Sequence, residues 1–168
     1  MYEKFGEFDS VEELNAKAAE LKDKEDEEAL VALALENGIE REDAEDYMDD
    51  VSTEFATSLM AAIGKLKVEK EDTGINGILE DWYLLIVEAC TNDEKMQVAV
   101  RRKSKKLNEC MAKLIAFAFE NKVQISDKIV NVCKVKHNGK TEAMRKPLYL
   151  GIPNKMQVKQ IIAEYYLG

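Results

Sequence analysis

Apolar residues recur along this chain at helical spacing, three and four apart, in one segment after another. Val11, Leu14, Ala18 and Leu21 share a face behind Ser10-Val-Glu-Glu13. That tetrapeptide is a capping box: the serine hydroxyl accepts from a free first-turn amide and the glutamate reaches back. After a charged break at 22–28, residues 29–35 form an unbroken apolar run suited to a buried helix, stopped by Asn37-Gly38. A third, short helix is predicted over 41–50, with Ala44, Tyr47, Met48 and Val51 on one side. Ser52 or Thr53 can open a fourth, in which Phe55, Leu59, Ile63 and Leu66 line up.

Residues 69–77 are polar, include two glycines and read as a linker or long turn. Beyond them 78–89 is apolar almost all round, with Trp82, Leu85 and Ile86, and is the expected central buried helix. Thr91-Asn-Asp-Glu94 is a second capping box, opening a short helix through Met96 and Val100. A further helix is predicted over 107–121, with Leu107, Met111, Leu114 and Ala118 on one stripe, and Ser126 can cap another that reaches Cys133. Pro153 suits the first turn of a last helix with Val158, Ile161, Ile162 and Tyr165 on its apolar face. Between these, 134–150 is the one strand candidate. Asn138-Gly139 is the preferred dipeptide of a two-residue hairpin turn, although the alternation on either side is poor. The expected fold is mainly α and multi-helix, with two small helical modules at 1–68 and 78–168 and a short β-hairpin.

Charge sharpens that division. Residues 1–95 carry a net −19 and residues 96–168 a net +10, a polarity hidden by the whole-chain value of −9. Binding driven by charge is the function class this implies: the acidic half attracts a cationic surface, and the basic half attracts a polyanion or its own partner half. Among the 168 residues, the three cysteines, Cys90, Cys110 and Cys133, lie far apart among apolar neighbours with no Cys-x-x-Cys. They read as small buried hydrophobes of a reducing, cytoplasmic setting. No charged leader precedes an apolar stretch, and the densest apolar runs are too short to span a membrane, so a soluble protein is expected.

The third helix is the sharpest local feature. Glu40, Glu42, Asp43, Glu45, Asp46, Asp49 and Asp50 surround its apolar stripe. Carboxylates three or four residues apart stand roughly 4.5–6 Å apart along a helix axis. Phosphates along a nucleic-acid strand repeat about every 3.4 Å, close enough for such a helix to occupy Lys/Arg sites built for phosphate. Crowding like charges at i,i+4 costs roughly 0.2–0.5 kcal/mol per pair, a cost that a cationic partner relieves. A solvated face that only maintains solubility, or one that docks on the basic half, explains the same pattern. A calcium loop does not, because the alternating ligands and central glycine are missing.

On the basic side, Arg101, Arg102, Lys103, Lys105 and Lys106 form one run, and Lys134, Lys136, Lys140, Arg145 and Lys146 form a second around the hairpin candidate. Both are candidate phosphate contacts, and both are equally suited to pair with the acidic half. No aromatic residue interleaves the first run, so base stacking is unsupported there. Catalytic chemistry is poorly supplied. His137 is the only histidine and sits in a polar turn, and neither glycine-rich phosphate-binding motif occurs. The expectation is a non-enzymatic protein without cofactor or metal.

Four stretches, taken in two pairs, carry a resemblance. The opening, Tyr2-Glu-Lys-Phe-Gly-Glu-Phe-Asp-Ser-Val-Glu-Glu-Leu14, with Ala34-Leu-Glu-Asn-Gly-Ile-Glu-Arg-Glu-Asp-Ala-Glu-Asp-Tyr47, is similar to small proteins of phages and conjugative elements. The later Lys103-Ser-Lys-Lys-Leu-Asn-Glu-Cys-Met-Ala-Lys-Leu114, with Ile161-Ile-Ala-Glu-Tyr-Tyr166, resembles PcfK-like plasmid accessory proteins, a neighbourhood that includes anti-CRISPR inhibitors of the RNA-guided type II nuclease. What the resemblance implies is a mobile-element inhibitor acting in the bacterial cytoplasm, its partner the basic nucleic-acid channel of a CRISPR type II effector. The alternative from a different class is a DNA-binding accessory protein of plasmid or phage maintenance, using the basic half.

Overall fold

Short polar side chains set most of the helix starts. Ser10 Oγ accepts the Glu13 N–H at 3.2 Å, Asp26 that of Ala29 at 3.0 Å, Thr57 that of Met60 at 3.2 Å and Asn154 that of Gln157 at 3.0 Å. Each satisfies one of the four amides a helix start leaves unpaired. The computed structural model describes residues 2–168. Its helices are α1 (Val11–Lys22), α2 (Glu27–Glu36), α3 (Arg41–Met48), α4 (Ser58–Thr73), α5 (Ile78–Asn92), α6 (Glu94–Arg101), α7 (Leu107–Glu120), α8 (Asp127–Val130) and α9 (Lys155–Leu167). The strands are β1 (Val123–Gln124), β2 (Lys134–His137), β3 (Lys140–Ala143) and β4 (Tyr149–Leu150). They form two antiparallel pairs, β1 with β4 and β2 with β3. The protein is mainly α with a short hairpin, as its pattern predicts.

Several boundaries differ from the sequence reading, each for a physical reason. The fourth helix begins at Ser58, not at 52 or 53. Residues ahead of it form a bent loop, kept out of the helix where the Asn15 side chain pairs with both the N–H and the C=O of Ala56, each at 2.9 Å. Phe55 and Ala56 are buried by that loop. The linker expected over 69–77 is mostly helix: α4 continues to Thr73 and ends on Gly74 in the left-handed region. Asp93, not Thr91, caps α6, and the Thr91 hydroxyl instead donates to the Val87 carbonyl inside α5. The helix opened by Ser126 stops at Val130, short of Cys133.

Two clusters of buried side chains divide the chain. The first gathers Leu14, Leu21, Leu30, Leu33, Ile39, Ala44 and Phe55 from α1–α3 and the loop before α4. The second gathers Trp82, Ile86, Met96, Leu107, Leu114, Ile162 and Tyr166 from α5, α6, α7 and α9. The division falls inside a helix: Ala61 of α4 belongs to the first cluster, Ala62 and Leu66 to the second. α4 is therefore a spine common to both, packed on α5, α6 and α7. The amino-terminal segment is tied down where the Glu36 carboxylate accepts the N–H groups of Lys4, Phe5 and Gly6 at 3.1–3.3 Å.

The turn between β2 and β3 has φ +50° at Asn138 and +76° at Gly139. Positive φ at both central residues is the hairpin geometry that Asn-Gly favours. Its register pairs Lys134 with Ala143, Val135 with Glu142, Lys136 with Thr141 and His137 with Lys140.

Candidate interaction surfaces

α3 packs on α2 through Ala44, which is fully buried, while its remaining residues reach the surface. The seven carboxylates singled out at 40–50 then fall into two groups. Glu40 meets Lys67 at 2.8 Å, Glu45 meets Arg41 at 3.6 Å and Asp50 meets Lys22 at 2.6 Å. Lys67 holds the Glu40 carboxyl below its ordinary range by hydrogen bond and charge. Glu42, Asp43, Asp46 and Asp49 make no ion pair among the described residues. Four of the seven thus remain uncompensated by this molecule's own cations. Lys22 also donates to the Tyr47 carbonyl and lies 4.5 Å from the Tyr47 ring centroid, which anchors the carboxy-terminal end of α3, where a cation is favoured.

Beside the ridge lies a shallow groove between the start of α3 and α4. Ile39, Leu59, Met60 and Ile63 form its apolar floor, with Glu40, Asp43 and Lys67 at the rim. Lys67 already answers Glu40 on that rim, which leaves Asp43 as the rim carboxylate open to a basic side chain whose methylenes would rest on the apolar floor.

The basic run at 101–106 is not a free patch. Arg101 is only 2% exposed, and its guanidinium donates to Asn37 Oδ1 at 2.8 Å and to the Ala61 carbonyl at 3.4 Å. Lys105 Nζ donates to the Tyr165 carbonyl at 2.5 Å, and Lys106 pairs with Glu7 and lies 4.0 Å from Glu69. Arg102 and Lys103 alone of the five are exposed. The Lys103 backbone N–H donates to Asp9 at 2.8 Å, another link across the halves.

Sequence reasoning missed the centre of this junction. Lys65 is fully buried, 3.2 Å from Glu7 and 3.8 Å from Glu69, and its ammonium donates to the Lys105 carbonyl at 2.8 Å. Glu69 accepts the Leu107 N–H at 2.9 Å, so it also completes the start of α7. Burial pushes the Glu69 carboxyl up, and it pushes the Lys65 ammonium and Arg101 guanidinium down, because desolvation disfavours every charged form. The available signal was a lysine among Ala61, Ala62 and Leu66 on the core side of a helix, with a glutamate four residues on.

No family model, curated protein or solved structure matches this chain. Its chemistry must be read from the molecule itself. Cys90 and Cys110 are buried, and burial pushes each thiol up to about 12, which leaves them protonated and inert near neutrality. His137 is exposed at the end of β2 with no acid or nucleophile paired to it. Among the described residues no group of His, Cys, Asp and Glu is placed to hold a metal ion, and no helix is long and apolar enough to cross a membrane.

Proposed function

We propose that this chain is a non-enzymatic inhibitor that lays its α3 ridge on the cationic nucleic-acid channel of another protein and excludes the nucleic acid. The observation that carries this reading is the set of unpaired carboxylates on α3 and its C-cap, Glu42, Asp43, Asp46 and Asp49, beside an apolar-floored groove that Asp43 overlooks. A large one-sign field without compensating cations costs folding energy and favours a cationic partner. The partner we propose, following the sequence resemblance, is a CRISPR type II nuclease, whose guide–target duplex lies in a positively charged channel and whose flanking motif is read by arginines. The origin in a phage or other mobile element and the action in the bacterial cytoplasm belong to the same proposal.

The test is co-purification with a panel of type II effectors, followed by DNA cleavage assays. The wild-type chain should bind, with affinity falling as salt rises. Reversal of Glu42, Asp43, Asp46 and Asp49 to Lys should abolish both binding and inhibition while the fold is retained, since only α3's outer face changes. Undiminished potency in the reversed protein removes the ridge from the mechanism. Of the alternative, DNA binding through the basic half, the part that uses residues 101–106 is weaker on this geometry, since Arg101, Lys105 and Lys106 are already engaged within the molecule.

A further inference from the structure

Residues 122–152 differ from the rest of the molecule in what they bury. Val130 is the only buried side chain among them. All eight residues of β2 and β3 are exposed, on both faces of the hairpin, and neither strand packs extensively on a helix. A two-stranded hairpin with no packed face is marginal in water. Core formation therefore does not explain its composition. That composition is cationic: residues 134–146 hold Lys134, Lys136, Lys140, Arg145 and Lys146 against the single acid Glu142, a net +4 in a chain of −9. Unlike the run at 101–106, these charges are unspent. Among the described residues Lys134, Lys136, Lys140 and Arg145 make no ion pair, and only Lys146 approaches an acid, Asp127, at 3.8 Å.

The register places cations on both faces. Lys134 and Lys136 share one face with Thr141 and Ala143, while Lys140 shares the other with His137, Val135 and Glu142. A ribbon that is charged on both sides suits a site with anionic walls on both sides, which is what a nucleic-acid groove offers. The dimensions agree. Paired strands lie about 4.8 Å apart, so the backbone of a two-stranded ribbon is well under the width of a DNA major groove. The major groove of duplex DNA is about 12 Å wide and about 8.5 Å deep and admits a two-stranded ribbon.

We propose that the β2–β3 hairpin is a nucleic-acid-binding element that enters the groove of a DNA duplex, with Lys134, Lys136, Lys140 and Arg145 on backbone phosphates. It goes beyond the reading of the α3 ridge and uses none of its residues. Lysines act as point charges without a fixed fork, so binding is expected to depend little on sequence.

The experiment is fluorescence anisotropy of the full chain with a labelled duplex of mixed sequence and with one of its strands alone. Four phosphate contacts at about −0.9 each in the salt slope predict roughly a hundred-fold loss of affinity between about 50 and about 200 mM salt. Reversal of Lys134, Lys136 and Lys140 to Glu should abolish duplex binding, and the milder change of all three to Gln should weaken it at least ten-fold with an unchanged circular dichroism spectrum. Reversal of Lys24 and Lys95, exposed in residues 1–95 and away from both surfaces, should leave it unchanged. Failure of the wild-type chain to bind, equal binding by the Gln variant, or tighter binding to the single strand would each overturn the proposal. So would concentration-dependent self-association that the hairpin variants abolish, since the surface would then serve an acidic protein face. The ridge is tested separately on the nuclease, so either idea can fail alone.

Discussion

Gly38 and Gly64 set how closely the end of α2 can approach α4. A Cβ on Gly64 would lie 2.2 Å from the Asn37 carbonyl oxygen, and one on Gly38 would lie 2.3 Å from the Gly64 carbonyl oxygen. Both clashes are with backbone, which cannot swing aside as a side chain can. Gly64→Ala, a change that favours an isolated helix, should therefore destabilise this protein by about 1–3 kcal/mol. Differential scanning calorimetry should show a fall of about 2–4 °C for each kcal/mol; an unchanged or raised Tm would mean that the contact is not tight. The same approach seats Asn37, which is fully buried and receives the Arg101 guanidinium. Asn37-Gly38 was legible in the sequence as a helix stop. Its second role, accepting an arginine 64 positions along the chain, was not, because nothing local marks it.

Among the elements, those defined by local chemistry were the most legible. The Asn138-Gly139 turn specifies its own backbone, and the hairpin forms although its strands alternate poorly. Gly139→Val places a β-branched residue at φ +76°, a conformation that costs an ordinary side chain roughly 1–2 kcal/mol. Since neither face of the hairpin is packed, the loss should stay local. Hydrogen exchange should speed up at the β2–β3 amides while the global Tm stays put, and a large drop in Tm would show that the hairpin supports the core after all. α3 was equally legible, from Ala44 and Tyr47 on one side and carboxylates elsewhere. The start of α4 was misread because the competing partner, the Asn15 side chain, lies 41 positions from Ala56.

For the whole molecule, the decisive feature is how the acidic and basic halves meet. Part of the acidic charge is answered internally: Glu7 and Glu69 face Lys65 and Lys106 at the junction. Removing one member of a buried ion pair typically costs about 3–5 kcal/mol, so the junction couples the halves strongly. With α4 serving both cores, the two should unfold together. Fluorescence of Trp82, which reports the second core alone, and far-ultraviolet circular dichroism, which reports every helix, should give coincident thermal transitions. An earlier dichroism transition, with Trp82 still native, would mean that the amino-terminal helices are an independent domain.

The sequence by itself determined the helical class, the caps at Ser10 and Ser126, the stop at Asn37-Gly38, the hairpin turn and the separation of charge along the chain. Each follows from interactions within a few residues, where spacing and side-chain chemistry suffice. Only the tertiary structure decided which charges are spent. Arg101, Lys105 and Lys106 look the same on paper as Lys134, Lys136 and Lys140, yet the first three lie at the junction and are paired or buried while the others stand in solvent. On the acidic side it separated half-buried Glu7 and buried Glu69, both set against lysines, from Glu42, Asp43, Asp46 and Asp49. The physical reason is that a charge's availability depends on neighbours brought in from distant parts of the chain, and the pattern along the chain holds no record of them.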